Sequence, residues 1–328
     1  MLASGRGRIG YTASGLLKRY PMLIPLLCLI IVALLICPEF GTVINLKNIL
    51  KQFVVVGIAA LGATFVVLGA GIDLSVGPVI SLCTVVAALT QGFKMPLIFL
   101  IVLFTGVVFG LLNGFAIARV KLPSFIGTFG MGSIAMGLSL GLSGGWPLFI
   151  NRSDYSIMGD GEVLGIPIAF LIYFVLIVCT HFFLKHSVYA KHLYGLGTNE
   201  DALFTYGVNV KSVRQWSYVI AGFFAGVAAI IASSRSCTGD PSIGMNLSFD
   251  IIAATVIGGT RIEGGYGGIV ESAIGTLIVA IINNVLNLMG VVYYWQIFTK
   301  GVILLAAILI SRAALRASQP KEGFAEAV

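Results

Sequence analysis

Charged side chains are scarce: 20 Lys and Arg with 13 Asp and Glu make up 10% of the 328 residues, where soluble domains carry roughly 25%. That shortage, with 58% hydrophobic residues and a mean hydropathy of +1.02, excludes a soluble globular protein. The five cysteines, Cys28, Cys37, Cys83, Cys179 and Cys237, include no CxxC pair, which argues against a disulfide framework or a thiolate metal site. The three histidines, His181, His186 and His192, sit beside lysines without the acidic or thiolate company of a metal centre, and read as an interfacial, solvated set. No hydrolase, kinase or zinc-protease signature is present. The nearest approach to a phosphate loop, "GGTRIEGGYGG" at 258–268, lacks the Gly-Lys-Ser/Thr ending that binds phosphate and magnesium. No catalytic residue, metal or bound cofactor is therefore expected of this chain.

Long apolar runs are abundant. A helix needs about 20 mostly apolar residues to cross a bilayer, and ten runs qualify as candidates: 21–37, 49–69, 76–91, 96–118, 125–143, 166–184, 214–232, 247–260, 267–289 and 295–312. The expectation is an all-α polytopic bundle of about ten spans, one transmembrane domain over 21–315, with short tails at 1–20 and 316–328. The runs at 76–91 and 247–260 are short, and broken or short helices are expected near 71–78 and 258–267. The first run ends in "LLICPEF" with no small-residue cleavage pattern, so it reads as a span rather than a signal peptide.

The net charge of +7 is distributed at the ends of these runs, an orientation signal rather than a nucleic-acid surface. Arg6, Arg8, Lys18 and Arg19, then Arg119 and Lys121, then Lys185, Lys191, Lys211 and Arg214, then Arg312, Arg316 and Lys321 all fall on one side of a ten-span chain. That side is read as the cytoplasm, giving an N-in, C-in topology. The opposite loop at 144–165 is acidic, with Asp154, Asp160 and Glu162 against Arg152. Glycines recur every four residues at Gly106, Gly110 and Gly114, at Gly137, Gly141 and Gly145, and at Gly222 and Gly226, a spacing that lets helix backbones approach closely; packing within one bundle is the expected use.

Two glycine-rich breaks interrupt this pattern. In "VLGAGIDLSVGPVISL" at 67–82, Asp73 and Ser75 stand where a following helix needs capping acceptors and Pro78 suits an early helical position. Asp73 is equally a polar group at membrane depth, the kind that faces a cavity or a partner. The second break, "VIGGTRIEGGYGGIVES", repeats that layout and contains Thr260. Asn113, Asn283, Asn284 and Asn287 lie inside runs, where a carboxamide bonds a ligand hydroxyl or links two helices. Asp73, Ser75, Asn113, Thr260, Asn283 and Asn284 are thus the translocation-path candidates. In the long loop 185–213, Asn199 is placed to cap a short helix with Glu200 and Asp201 in its first turn, and Gly207 to end it.

Taken together, "GIDLSVG" at 71–77, "LYGLGTNEDALFTYGVNV" at 193–210 and "IIAATVIGGTRIEGGYGGI" at 251–269 resemble the permease subunits of bacterial ABC importers for monosaccharides of the ribose, xylose, arabinose and galactose type. The resemblance implies an inner-membrane subunit that pairs with a second permease copy or paralogue, a cytoplasmic ATPase holding ATP and magnesium, and a periplasmic sugar-binding protein. It also implies that Asn199, Glu200, Asp201, Ala202 and Gly207 form the coupling loop that docks on the ATPase. Asp201 stands where the family usually has alanine, and "RIEGGYGG" is more charged than the usual turn, so Arg261 and Glu263 are expected to pair. The alternatives are a branched-chain amino acid permease of the same superfamily and an ion-coupled secondary transporter using Asp73.

Overall fold

The computed structural model describes residues 20–292, 294–299, 301, 302 and 305. The N-terminal tail, the tail at 316–328 and most of the run 295–312 lie outside the described residues, as do Arg6, Arg8, Lys18, Arg19, Arg312, Arg316 and Lys321. The other nine apolar runs each form a helix: α1 (Leu23–Ile36), α2 (Val43–Leu68), α3 (Val76–Leu89), α4 (Met95–Ala118), α5 (Ser124–Ser143), α6 (Ile168–His186), then, beyond the hairpin helices α7 (Val188–Thr198) and α8 (Glu200–Thr205), α9 (Val210–Ser236), α10 (Leu247–Ile257) and α11 (Ile269–Leu288). Six of them, α2, α4, α5, α6, α9 and α11, are long and apolar enough to cross a membrane, while α1, α3 and α10 are shorter apolar helices. Strand is confined to two-residue pairings in the connections among the described residues, so the chain is an all-α polytopic membrane protein.

Buried helices α2 and α9 form the centre. Lipid gives helices no hydrophobic reason to associate, so close backbone approach has to supply the attraction. Here the Gly106, Gly110 and Gly114 stripe of α4 receives α9: a Cβ at Gly106 would collide with the Gly222 carbonyl oxygen, and one at Gly114 would lie 2.7 Å from the Gln215 carbonyl oxygen. The second run, Gly137, Gly141 and Gly145, departs from the expectation of packing within the bundle. Nothing lies within 4 Å of a Cβ built at Gly137, Gly141 or Gly145, because that face of α5 points away from the other described helices.

The short run at α10 is completed by an element the sequence reading did not anticipate. After α9, residues 238–246 run back along α3 in a non-helical path. The Asp240 N–H donates to Thr84 Oγ1 at 3.1 Å, the Gly244 N–H to Ser81 Oγ at 2.8 Å, and at the start of α10 the Ser248 hydroxyl donates to the Leu74 carbonyl at 2.8 Å. Irregular backbone at membrane depth is tolerated only where its polar groups are satisfied by protein, and the hydroxyls of α3 do this.

At the end of the bundle holding the loop 144–167, Lys47 reaches Glu162 at 2.7 Å, and Lys51 lies 3.6 Å from Asp160 and 3.5 Å from Glu162. The Lys47 ammonium holds the Glu162 carboxyl below the usual range, and the Arg152 guanidinium does the same for Asp154.

Candidate functional site

The first break begins where α2 stops. Ala70 takes a left-handed φ of 57°, and a Cβ at Gly71 would come within 2.6 Å of the Tyr218 hydroxyl, so glycine is required for this turn to lie against α9. One Asp73 carboxyl oxygen, Oδ1, accepts both the Ser75 N–H at 2.8 Å and the Ser75 hydroxyl at 2.6 Å, and Ser75 Oγ in turn accepts from Asn113 Nδ2 at 2.7 Å. The freed backbone is held from three sides: Ile72 N–H donates to Ser124 Oγ at 3.3 Å, Leu74 N–H to Thr128 Oγ1 at 3.1 Å, and Gly77 N–H to Ser248 Oγ at 3.0 Å.

This corrects the capping expectation. Neither Asp73 nor Ser75 bonds an amide inside α3; Asp73 closes a local turn onto Ser75, while the early helical amide of Gly77 is satisfied by Ser248 from α10. The distant hydroxyl occupies the place a local cap would take. Pro78 does sit in the first turn of α3.

The second break is a left-handed glycine turn, with φ of 86° at Gly264, 69° at Gly265 and 122° at Gly267. Thr260 is buried in a hydroxyl cluster, 3.4 Å from Ser272 Oγ, which is 2.7 Å from Thr64 Oγ1. The expected Arg261–Glu263 pair is absent among the described ion pairs. Arg261 instead lies over the Tyr266 ring, 4.5 Å from its centroid, the arrangement in which a guanidinium meets the ring's negative face.

The hairpin follows its local chemistry closely. Asn199 Oδ1 accepts the Ala202 N–H at 2.9 Å, Glu200 and Asp201 occupy the first turn of α8, and Gly207 closes it at a φ of 78°. Glu200 binds Arg214 at the start of α9 through both oxygens, at 3.2 and 2.5 Å. Phe204 and Tyr206 are 72% and 86% exposed, leaving an aromatic face on the free side. Between the hairpin and the first break lies a cavity of about 830 Å³ lined by Ala70, Lys121, Glu200, Asp201, Arg214 and Tyr218 among others.

The three motifs meet at one point. Gly265 N–H donates to the Leu68 carbonyl at 2.9 Å, joining the second break to the first, and the Tyr194 hydroxyl donates to the Gly267 carbonyl at 2.8 Å. Gly197 of α7 lies over that joint: a Cβ there would collide with both the Leu68 carbonyl and the Gly265 amide. The hairpin is thus wedged against both breaks.

The path candidates separate into groups. Asp73, Ser75 and Asn113 form one hydrogen-bonded cluster and Thr260 belongs to the neighbouring hydroxyl cluster. Asn283 lines a different cavity towards the far end of α11. Asn284 is paired reciprocally with Asn45 at 3.0 and 2.8 Å, joining α2 to α11. The sequence reading missed Gly197 and Tyr218 and took Arg214 only as an orientation charge; the one available signal was their position inside or just beyond the 193–210 motif.

Residues 45–308 match the protein family described as branched-chain amino acid transport system / permease component. The ribose import permease protein RbsC of Haemophilus influenzae is 35% identical over 292 residues, spanning 87% of this chain and 90% of that protein. RbsC of Escherichia coli strain K12 is 35% identical over 310 residues, 93% and 96% of the two chains. The xylose transport system permease protein XylH of the same strain is 28% identical over 338 residues, 84% and 86% of the two chains. No solved structure matches the chain.

Proposed function

Because the chain belongs to the family of branched-chain amino acid transport system permease components, we propose that it is the membrane-spanning subunit of an ATP-driven importer that carries a monosaccharide across the bacterial inner membrane. The names of its ribose and xylose relatives support the sugar. The observation that carries the drive is the seat of the hairpin on both breaks, since a neutral sugar offers a charge gradient nothing to pull and uphill movement must be imposed mechanically.

In this reading the permease domain covers 21–315, with ten spans and both tails in the cytoplasm. The common siting of Lys121, Lys211 and Arg214 around the hairpin cavity supports that orientation. A periplasmic binding protein delivers the sugar to the Asp160 end. A cytoplasmic ATPase, which alone holds ATP and magnesium, takes the exposed aromatic face of the hairpin, with Asn199, Glu200, Asp201, Ala202 and Gly207 as the coupling residues. A second permease copy or a paralogue completes the membrane unit. Closure of the ATPase pair pushes α8; the Glu200–Arg214 fork passes the push to α9 and Gly197 passes it to both breaks. The bonds of Asp73 to Ser75 support a role in holding the break rather than in coupling an ion.

The test is uptake of labelled D-ribose into proteoliposomes holding the chain, its ATPase and the ribose-loaded binding protein. Accumulation is expected only with ATP on the hairpin side, and to be unaffected by a protonophore. Uptake that proceeds without the ATPase and collapses with a protonophore would sink the proposal.

A further inference from the structure

Two cavities adjoin at the end of the bundle opposite the hairpin. The outer one, about 590 Å³, opens among Asn45, Asn48, Lys51 and Asp160, and the inner one, about 400 Å³, reaches between α2, α9, α10 and α11. Gln52, Arg235 and Asn287 line both, which makes them one vestibule. The inner volume falls within the range of small-molecule sites, roughly 300–1,000 Å³.

The lining has a consistent chemistry. Asn48, Gln52, Asn283, Asn287 and Gln296 contribute carboxamides, over an apolar floor that includes Ile49, Phe53, Val56 and Val279. A carboxamide offers both donors and an acceptor, matching a hydroxyl that does both, while the floor matches the C–H face of a sugar ring. The buried Oδ1 of Asn283 has no hydrogen-bond partner among the described residues. The ionic groups balance: Lys51 and Arg235 face Asp160 and Asp250. Lys51 is ion-paired to Asp160 and Glu162, at 3.6 and 3.5 Å, and Arg235 donates to the Lys51 carbonyl at 3.0 Å. The lining therefore carries no net formal charge.

The backbone is also unusual here. Ile243 of the non-helical segment, with Leu247 and Asp250 of α10, forms one wall. Irregular backbone at membrane depth belongs where it lines a cavity, and discontinuous spans are where transporters build substrate sites.

We propose that this vestibule is a holding site for a neutral polyhydroxyl ligand on the inward route, with Gln52, Asn283 and Asn287 bonding its hydroxyls. This rests on the sugar-permease reading above. The test uses the assembled transporter in proteoliposomes with D-ribose and its 2-deoxy analogue, each at saturating binding protein, comparing wild type with Asn283→Leu, Asn287→Ala and Gln52→Leu. Ribose uptake is expected to fall at least tenfold in Asn283→Leu, and the ribose to deoxyribose ratio to drop at least threefold in each variant. If Asn283→Leu does not yield monodisperse protein, the exposed rim changes at Gln52 and Asn287 give the same ratio readout. A ratio equal to wild type in the variants that fold, whatever their overall rate, overturns the site. Wild-type transporter that takes up neither sugar nor any other monosaccharide overturns the permease reading itself.

Discussion

Gly197→Ala is expected to abolish sugar uptake while leaving ATP hydrolysis running. A single methyl there meets backbone on both sides, the Leu68 carbonyl and the Gly265 amide, and backbone cannot swing aside as a side chain can. Either α7 lifts off or the Gly265–Leu68 hydrogen bond breaks, and in both cases the hairpin no longer bears on the breaks. Overpacking of this kind costs about 1–3 kcal/mol, enough to separate the joint without unfolding the helices around it. The measurement is the ratio of labelled sugar imported to ATP hydrolysed in proteoliposomes, expected to fall at least tenfold. Gly137→Ala is the matched control: nothing lies within 4 Å of its new methyl, and alanine in a helix is better than glycine by about 0.5–1 kcal/mol, so transport is expected to be unchanged. Normal coupling in Gly197→Ala would refute the wedge.

Asp73 gives the second large effect, and the size of the loss depends on the replacement. Asp73→Ala removes the acceptor of both the Ser75 N–H and the Ser75 hydroxyl, and each buried donor left unmatched costs about 1–3 kcal/mol. Ser75 then loses its fixed orientation towards Asn113. A loss of about 2–4 kcal/mol is expected, visible as a fall in the melting temperature of the detergent-solubilised protein and in uptake. Asp73→Asn keeps an Oδ1 acceptor in the same place and is expected to retain most of both. Full loss in the Asn variant would mean that the charge itself works in transport, which would return Asp73 to the path.

These two positions show what a sequence displays and what it conceals. The apolar helices were legible because length and apolarity are both additive along the chain. The hairpin was legible because Asn199, Glu200, Asp201 and Gly207 lie within nine consecutive residues and act on one short helix and its two ends. Asp73 was legible as a break but not as to its target, because the amide it seemed placed to cap is taken by Ser248, 171 residues away. The path of segment 238–246 was not legible, since the hydroxyls that satisfy it, Ser81 and Thr84, sit in an apolar helix with no local mark of their use. Asn45 and Asn284 pair across 239 residues, and Arg261 prefers the ring of Tyr266 to the nearby Glu263. At Gly77, in the 238–246 segment and at Asn45 the partner is brought by the fold from far along the chain, where sequence proximity gives no sign of it.

The central claim is that hairpin and breaks respond as one body to the ATPase. It is tested most directly by hydrogen exchange on the assembled transporter with and without a non-hydrolysable ATP analogue, followed in residues 69–75, 188–198 and 258–268. The account predicts that protection changes in all three segments at the same nucleotide step, and that in Gly197→Ala the two breaks stop responding while 188–198 still does. A nucleotide response confined to 188–198 in the unaltered protein would contradict it.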